Sequence, residues 1–346
     1  MITRRTFLRS LAMAGGIPFK QRDGCKCIWD VLNDKQDGQC LLSISVNGRT
    51  GFIDRYGSVV IEPRFESLWG FGNGLAPVRI GGKWGFIDTK GALAIEPKFE
   101  ETLWFGCGRA PVKMNGRWGA IDPKGDMRIP PIFDFPPMFH EGLASVGRDG
   151  VDGFINTDGR WAIPPQYPRS RPDEKVATFF RDGLAEIRQG GLSGFIDKSG
   201  DFVIKPSFQQ VSCFNEGLAC VGAFGDCHYI DKAGKPVFHR KTYYLCEPFS
   251  EGLAPVMDGR LWGYIDKKGR SVIGLRYQWT CGFSEGLAFV RTENGGGYAD
   301  RSGELVIRAD NWDIGDAFRG GIAQVTQGDA WGYIDRRGEY IWIPTS

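Results

Sequence analysis

Proton-transfer or nucleophilic chemistry needs a histidine, cysteine or carboxylate held beside a partner, and this chain has only three histidines, His140, His228 and His239. None lies in a nucleophile or metal motif, and no G-x-S-x-G, P-loop or H-E-x-x-H pattern occurs, so no catalytic residue is assigned and the chain reads as a non-enzyme. The densest acidic cluster, Asp149, Asp152, Asn156 and Asp158, lacks the D-x-D-x-D-G spacing of a calcium loop, and turn formation accounts better for its repeated aspartates. Nine cysteines, at 25, 27, 40, 107, 213, 220, 227, 246 and 281, are an odd number and cannot all pair internally. Cys25 and Cys27 stand too close together for a zinc knuckle, so buried thiols are the favoured reading and neither metal nor cofactor is expected. Tryptophans recurring at one phase could stack sugars, but packing between units is the simpler use of such large apolar rings.

Composition narrows the class. Fifty of the 346 residues are glycine, about twice the roughly 7% of an average protein and without collagen's period. Turns must be frequent. An apolar content of 42% with 13% aromatics supplies a core, so the glycine does not signal disorder. A formal charge of +2 argues against a basic nucleic-acid binder. No apolar run of about 18 residues is present, so no transmembrane segment is expected.

The N-terminus carries Arg4, Arg5, Phe7 and Leu8 ahead of a short apolar stretch, with no acidic residue in the first twenty. This resembles a bacterial twin-arginine export signal over residues 1–20, followed by a linker or cap over 21–38, and implies a periplasmic or extracellular location if it is used, cytoplasmic otherwise. Its removal would leave 39 basic and 41 acidic residues. The remaining chain is then slightly acidic.

Self-comparison exposes the elements that must position any site. A unit of the form F-x-x-G-L-A-x-V … W-G-F/Y-I-D-x-x-G-x-x-V-I-x-P-x-F recurs nine times over residues 39–346. Its F-x-x-G glycines, from Gly74 to Gly321, step by 34, 34, 41, 34, 35, 34 and 35 residues. Near-constant spacing marks an array of about 34-residue modules that bury their faces against one another. The long step places an inserted surface loop at about 168–175, a candidate contact loop.

Each unit reads as three short antiparallel strands. In the second copy these are Leu75 to Ile80, Lys83 to Asp88 and Ala92 to Glu96, joined by Gly81-Gly82 and by a type I turn at Asp88-Thr-Lys-Gly91 whose glycine takes the left-handed conformation. Proline after the third strand is expected to end the pairing. Phe86 and Ile87 point to opposite faces, so both faces need cover from neighbouring units.

The motif Trp84-Gly85 … Asp88 … Gly91 returns as Trp118-Gly119 … Asp122 … Gly125, Trp262-Gly263 … Asp266 … Gly269 and Trp331-Gly332 … Asp335 … Gly338. These units resemble the bacterial WG, or KWG, repeats. Five copies replace the tryptophan, by Thr50, Asp152, Ser193, Cys227 and Gly296, and His228 replaces the motif glycine of the sixth. The resemblance implies a β-rich repeat without a defined biochemical role. Nine copies exceed the 4 to 8 blades of a usual propeller, which favours an all-β open solenoid or superhelix over a closed propeller-like ring. The functional expectation is a non-enzymatic protein-binding or scaffold module of the bacterial cell envelope; the alternative is a carbohydrate or cell-wall glycan binder using surface aromatics.

Overall fold

The computed structural model describes residues 41–169, 177–238, 243–309, 312–328 and 330–343. The proposed export segment, Cys25, Cys27, Cys40 and most of the inserted loop lie outside these residues. Strands β1 (Leu42–Val46), β2 (Arg49–Ile53) and β3 (Val59–Phe65) form the first sheet; β4 (Ser67–Leu68), β5 (Leu75–Ile80), β6 (Lys83–Asp88) and β7 (Leu93–Phe99) form the second. The pattern continues through nine small antiparallel sheets. Eight have three or four strands among the described residues, and the sixth has two, Leu218–Val221 and His228–Asp231.

The fourth strand of most sheets was not anticipated. It is a two-residue segment from the linker between units, as in β4, which pairs with β5 through Ser67↔Arg79 and Leu68↔Val78. Nor does the proline end the third strand. β7 runs through Pro97 to Phe99, with Trp84 opposite Phe99 and Phe86 opposite Ile95, so the proline sits in a bulge where no ladder donor is required. The motif glycine explains that bulge: a Cβ on Gly85 would stand 2.5 Å from the Ile95 carbonyl oxygen and 2.7 Å from Pro97 N. Only glycine lets the bulged backbone lie so close to the strand beside it.

The D-x-x-G turns are built alike in all nine units. Asp88 Oδ1 accepts the backbone N–H of Lys90 and of Ala92, both at 2.9 Å, while Gly91 N donates to the Asp88 carbonyl at 3.0 Å. Asn156 makes the same two side-chain bonds in the fourth unit. These turns also join sheets. Gly91 lies against Ile61 of the preceding sheet, Gly125 against Ile95 and Gly159 against Ile129.

Packing between sheets uses both faces of the middle strand. Phe86 meets Phe105 of the next unit with ring centroids 5.0 Å apart, and the equivalent pairs Phe52 with Phe71, Phe154 with Phe180, Phe195 with Phe214, Tyr264 with Phe283 and Tyr298 with Phe318 lie at 4.7 to 4.9 Å. Ile87 packs the other way, with Phe52, Ile61 and Phe65. Each aromatic pair contributes about 0.5–1.5 kcal/mol beyond its buried area.

The array closes on itself. Ile44 and Ile53 of the first sheet share a core with Ile322 and Tyr333 of the last, and the Tyr333 hydroxyl donates to the Ser43 carbonyl at 3.0 Å. The open solenoid expected from copy number is therefore incorrect: the nine units form a closed ring of the β-propeller type. A first and last sheet that bury the same kind of side chains against each other as internal neighbours do leave no free end for a superhelix to extend.

Candidate binding cleft at the sixth junction

One unit breaks the rule that shapes the others. Where the regular units carry Trp-Gly, the sixth carries Cys227-His228. A Cβ at the glycine position would meet the bulged third strand; here, among the described residues, that strand is recorded only as the bridges Ile230↔Pro236 and Cys227↔Tyr243, the counterparts of Ile87↔Leu93 and Trp84↔Phe99 in the second unit, and residues 239–242 lie outside the described residues. Val237 N donates to the Tyr229 carbonyl at 2.9 Å, and Tyr243 then exchanges two backbone hydrogen bonds with Cys227, at 2.8 and 3.0 Å.

A covalent bond joins this unit to the next. Cys227 is joined by a disulfide to Cys246, 19 residues on, in the short first strand Leu245–Cys246 of the seventh sheet. The expectation that the cysteines are buried thiols thus fails for this pair; of the other described cysteines Cys220 is a buried thiol, Cys213 and Cys281 are half-buried and Cys107 is exposed. A bridge of this loop length stabilises by roughly 3 kcal/mol in the chain-entropy description.

At the junction of the sixth and seventh units, mostly against the seventh sheet, lies an open cleft of about 630 Å³. Its walls include Tyr243, Tyr244, Asp258, Ser271 and Leu275. Tyr244 is 37% exposed and pairs with the equally exposed Phe224, ring centroids 5.8 Å apart. Burial holds the Tyr243 phenol above its ordinary pKa, so it stays protonated at neutral pH. Asp258 is held below the usual carboxylate range by the backbone N–H groups of Leu261 and Arg260, each 2.9 Å from Oδ1. The cleft therefore offers the exposed ring of Tyr244, the Ser271 hydroxyl and an anionic acceptor, while the Tyr243 hydroxyl is buried.

The other candidate residues are distributed through the framework. Trp118 and Trp262 are buried, whereas Trp84 and Trp331 are half-buried and pack at the edges of their clusters. Gly119, Gly263 and Gly332 lie under third-strand backbone as Gly85 does, and Asp122, Asp266 and Asp335 each accept the same pair of turn N–H groups. Gly269 and Gly338 close their turns against Phe238 and Ile307 of the preceding units. The acidic cluster is dispersed: Asp152 is fully buried and paired with Arg169 at 2.6 Å, Asn156 shapes its turn, and Asp158 faces Arg109 at 3.9 Å. No group of three metal-ligating side chains occurs among the described residues. His140 lies against the Phe179 ring, His228 faces Phe208, and His239 is outside the described residues.

Arg169 is a residue that the sequence reading missed. At the base of the inserted loop, its side chain is 1% exposed and bridges Asp152 to Asp134, the latter at 3.0 Å, while Asp134 also pairs with Arg117. Gly147 leaves room for this network, since a Cβ there would collide with Arg169 and Asp152. The signal was present in the substitution of Asp152 for the motif tryptophan in the same unit that carries the insertion.

A model described as the WG containing repeat matches residues 51–84, 84–118, 118–151, 153–192, 194–222, 229–261 and 262–295. The chain belongs to the WG repeat family. No curated protein matches the sequence. Among solved structures, the WG repeat ring is similar to a eukaryotic initiation factor, with a TM-score of 0.61, 10% identity, and 88% of this chain and 96% of that chain covered. At that identity the likeness is one of fold. The dihydro-heme d1 dehydrogenase NirN is similar at a TM-score of 0.46 and 13% identity, covering 87% of this chain and 72% of that chain; Hsv2 of Kluyveromyces lactis is similar at 0.41 and 9%, covering 67% and 92%. In the described residues no helix is long and apolar enough to cross a membrane.

Proposed function

We propose that this WG repeat ring is a non-enzymatic binding module of the cell envelope whose cleft at the sixth junction takes a saccharide. The observation that carries the reading is the juxtaposition of the exposed Tyr244 ring and Asp258 in the cleft, with Phe224 beside Tyr244. Sugar C–H faces pack on exposed aromatic rings, and sugar hydroxyls donate to a carboxylate and bond to phenol and serine oxygens. An envelope location is supported by the disulfide, a bond that persists in oxidising compartments, and by the twin-arginine-like start.

Retention on purified peptidoglycan and on a glycan array, with release by the soluble glycan, is the expected outcome. Absence of retention by any glycan would overturn this reading. Capture of a protein would then favour the second reading, in which the exposed apolar side chains of the third strands, among them Leu93, Met127, Val203, Val272 and Val306, form the contact surface.

A further inference from the structure

The residue before the glycine of the F-x-x-G turn sits in the left-handed region in seven consecutive units, Asn73 to Glu285, at φ of 49 to 55°. Four of the seven are glutamates that reach into the next unit. Glu141 accepts Gly183 N, Glu216 accepts Gly252 N, Glu251 accepts Gly286 N and Glu285 accepts Gly321 N, at 2.9 to 3.1 Å. The same four carboxylates meet a cation from that unit's D-x-x-G turn: Lys198, Lys267, Arg301 and Arg336 stand 3.0 to 3.9 Å from them, and each also donates to its glutamate's backbone carbonyl at 2.7 to 3.2 Å. Acid and cation together form a latch across the junction.

The two halves go together along the chain. Asp182 accepts Gly217 N at 2.7 Å and is followed in the sixth unit by Lys232. Asn73 and Cys107 bring no charge, and the next units carry Pro123 and Thr157 at the cation position; at the second of these, Arg109 donates across to the Thr157 carbonyl at 2.9 Å. The closing junction has one half without the other. The ninth unit carries Gly320 at the acid position, while the first unit keeps the cation, Arg55, whose guanidinium lies over the Tyr56 ring at 5.7 Å.

Two further features set this junction apart. Tyr264 and Tyr298 pack on Phe283 and Phe318 of the next unit, whereas the equivalent Tyr333 meets Trp331 of its own strand, centroids 5.5 Å apart. The phenylalanine position of the first unit, 34 residues before Phe71, is Asp37, which lies outside the described residues. No linker crosses from the ninth unit to the first, so these two can part without carrying a connecting segment with them. We propose that the junction between the ninth and first units is where the closed ring opens reversibly, and that the half-built latch at Gly320 and Arg55 sets how often it does so. In an array whose units support one another through their neighbours, a unit released on one side frays before the rest. A hydrogen bond to a charged acceptor is stronger than a neutral one, while a partly exposed ion pair adds less, so a complete latch should slow opening severalfold.

Amide hydrogen exchange of the full chain, read by mass spectrometry, tests this. In the wild type, residues 42–53 and 322–335 should exchange at least tenfold faster than their counterparts 253–266, which lie between two latched junctions. Gly320→Glu supplies the missing half: a Cβ there has nothing within 4 Å, and the φ of 57° is close to that of the sister glutamates. Gly320→Gln, with the same backbone cost and no charge, is its reference. Exchange at 42–53 and 322–335 should be at least threefold slower in Gly320→Glu than in Gly320→Gln, and adding Arg55→Met to both should abolish the difference. Equal exchange of the three segments in the wild type would overturn the proposal, as would no difference between the two variants or a difference that survives Arg55→Met. Should the position 320 variants fail to fold, Glu251→Gln/Arg301→Met dismantles a complete latch and should speed exchange at 287–299 at least threefold; unchanged exchange there would equally overturn the proposal.

Discussion

Gly57, in the first unit's turn, lies against Ile341 of the last sheet, whose carbonyl oxygen would be 2.4 Å from a Cβ placed on the glycine. Gly91 and Gly125 likewise lie against the third strand of the preceding sheet, there on the side chains of Ile61 and Ile95, whereas Gly57 meets the backbone of the residue before their counterpart, Trp342; the junction between the chain's two ends thus follows the internal pattern with a local change of contact. A closed ring of this size has a radius of gyration near 20 Å, about what a compact chain of this length requires. Solution scattering should return that value; a clearly larger radius would indicate an open array. Tyr333→Phe removes the hydrogen bond to Ser43 and should lower stability by about 1 kcal/mol in denaturant titration, without opening the ring.

The motif glycine is a steric requirement of the bulge. Gly85→Ala forces a methyl group against Ile95 O and Pro97 N and should cost about 1–3 kcal/mol, read as a lower denaturation midpoint. Gly274→Ala is the control. It sits in a third strand with nothing within 4 Å of the added carbon, and its midpoint should stay within error of the wild type or rise.

Asp152 is buried and charged beside Arg169. Arg169→Ala leaves that carboxylate without its close guanidinium and should destabilise by about 3–5 kcal/mol. The double change with Asp152→Ser, the residue found at the equivalent position 193 of the next unit, should recover a large part of the loss. A double-mutant cycle that is additive would show that the two side chains act independently.

The turn aspartates make the ring sensitive to acid. The N–H of Arg270 and the hydroxyls of Ser199 and Ser302 are the largest causes holding Asp266, Asp197 and Asp300, respectively, below the ordinary value of 3.8. Because the folded-state value is the lower one, their contribution is complete above the unfolded value and is lost as pH falls through the folded value, below 3.8. Asp266→Asn keeps the acceptor oxygen, as Asn156 does naturally, and removes the proton linkage. Its stability should decline less steeply than that of the wild type between pH 4 and pH 2, measured by denaturant midpoints across that range. An identical slope would mean that the carboxylate charge does not contribute to the turn.

The repeat, its turns and the two-sided packing of Phe86 and Ile87 were legible in the sequence because they rest on local rules: pleat alternation, turn chemistry and period. Closure was not legible, since nothing in Gly57 or Ile341 says that they meet, and copy number pointed to the open form. The short strand at Ser67–Leu68 was hidden in what reads as a linker because two residues carry no period. The cleft had a visible signal in Cys227-His228, a double departure at the one dipeptide where a bulge demands glycine. Its meaning needed the partner, Cys246, whose pairing no spacing rule supplies.

The proposed saccharide site places binding at the irregular junction and not on the exposed aromatics of the array at large. Titration calorimetry of the soluble glycan that elutes the wild type should separate the two, using Tyr244→Ala in the cleft and Trp69→Ala, which removes an exposed aromatic at a regular junction. Affinity should fall at least tenfold in Tyr244→Ala and stay unchanged in Trp69→Ala. Equal affinity in Tyr244→Ala and wild type, or a loss confined to Trp69→Ala, would contradict it.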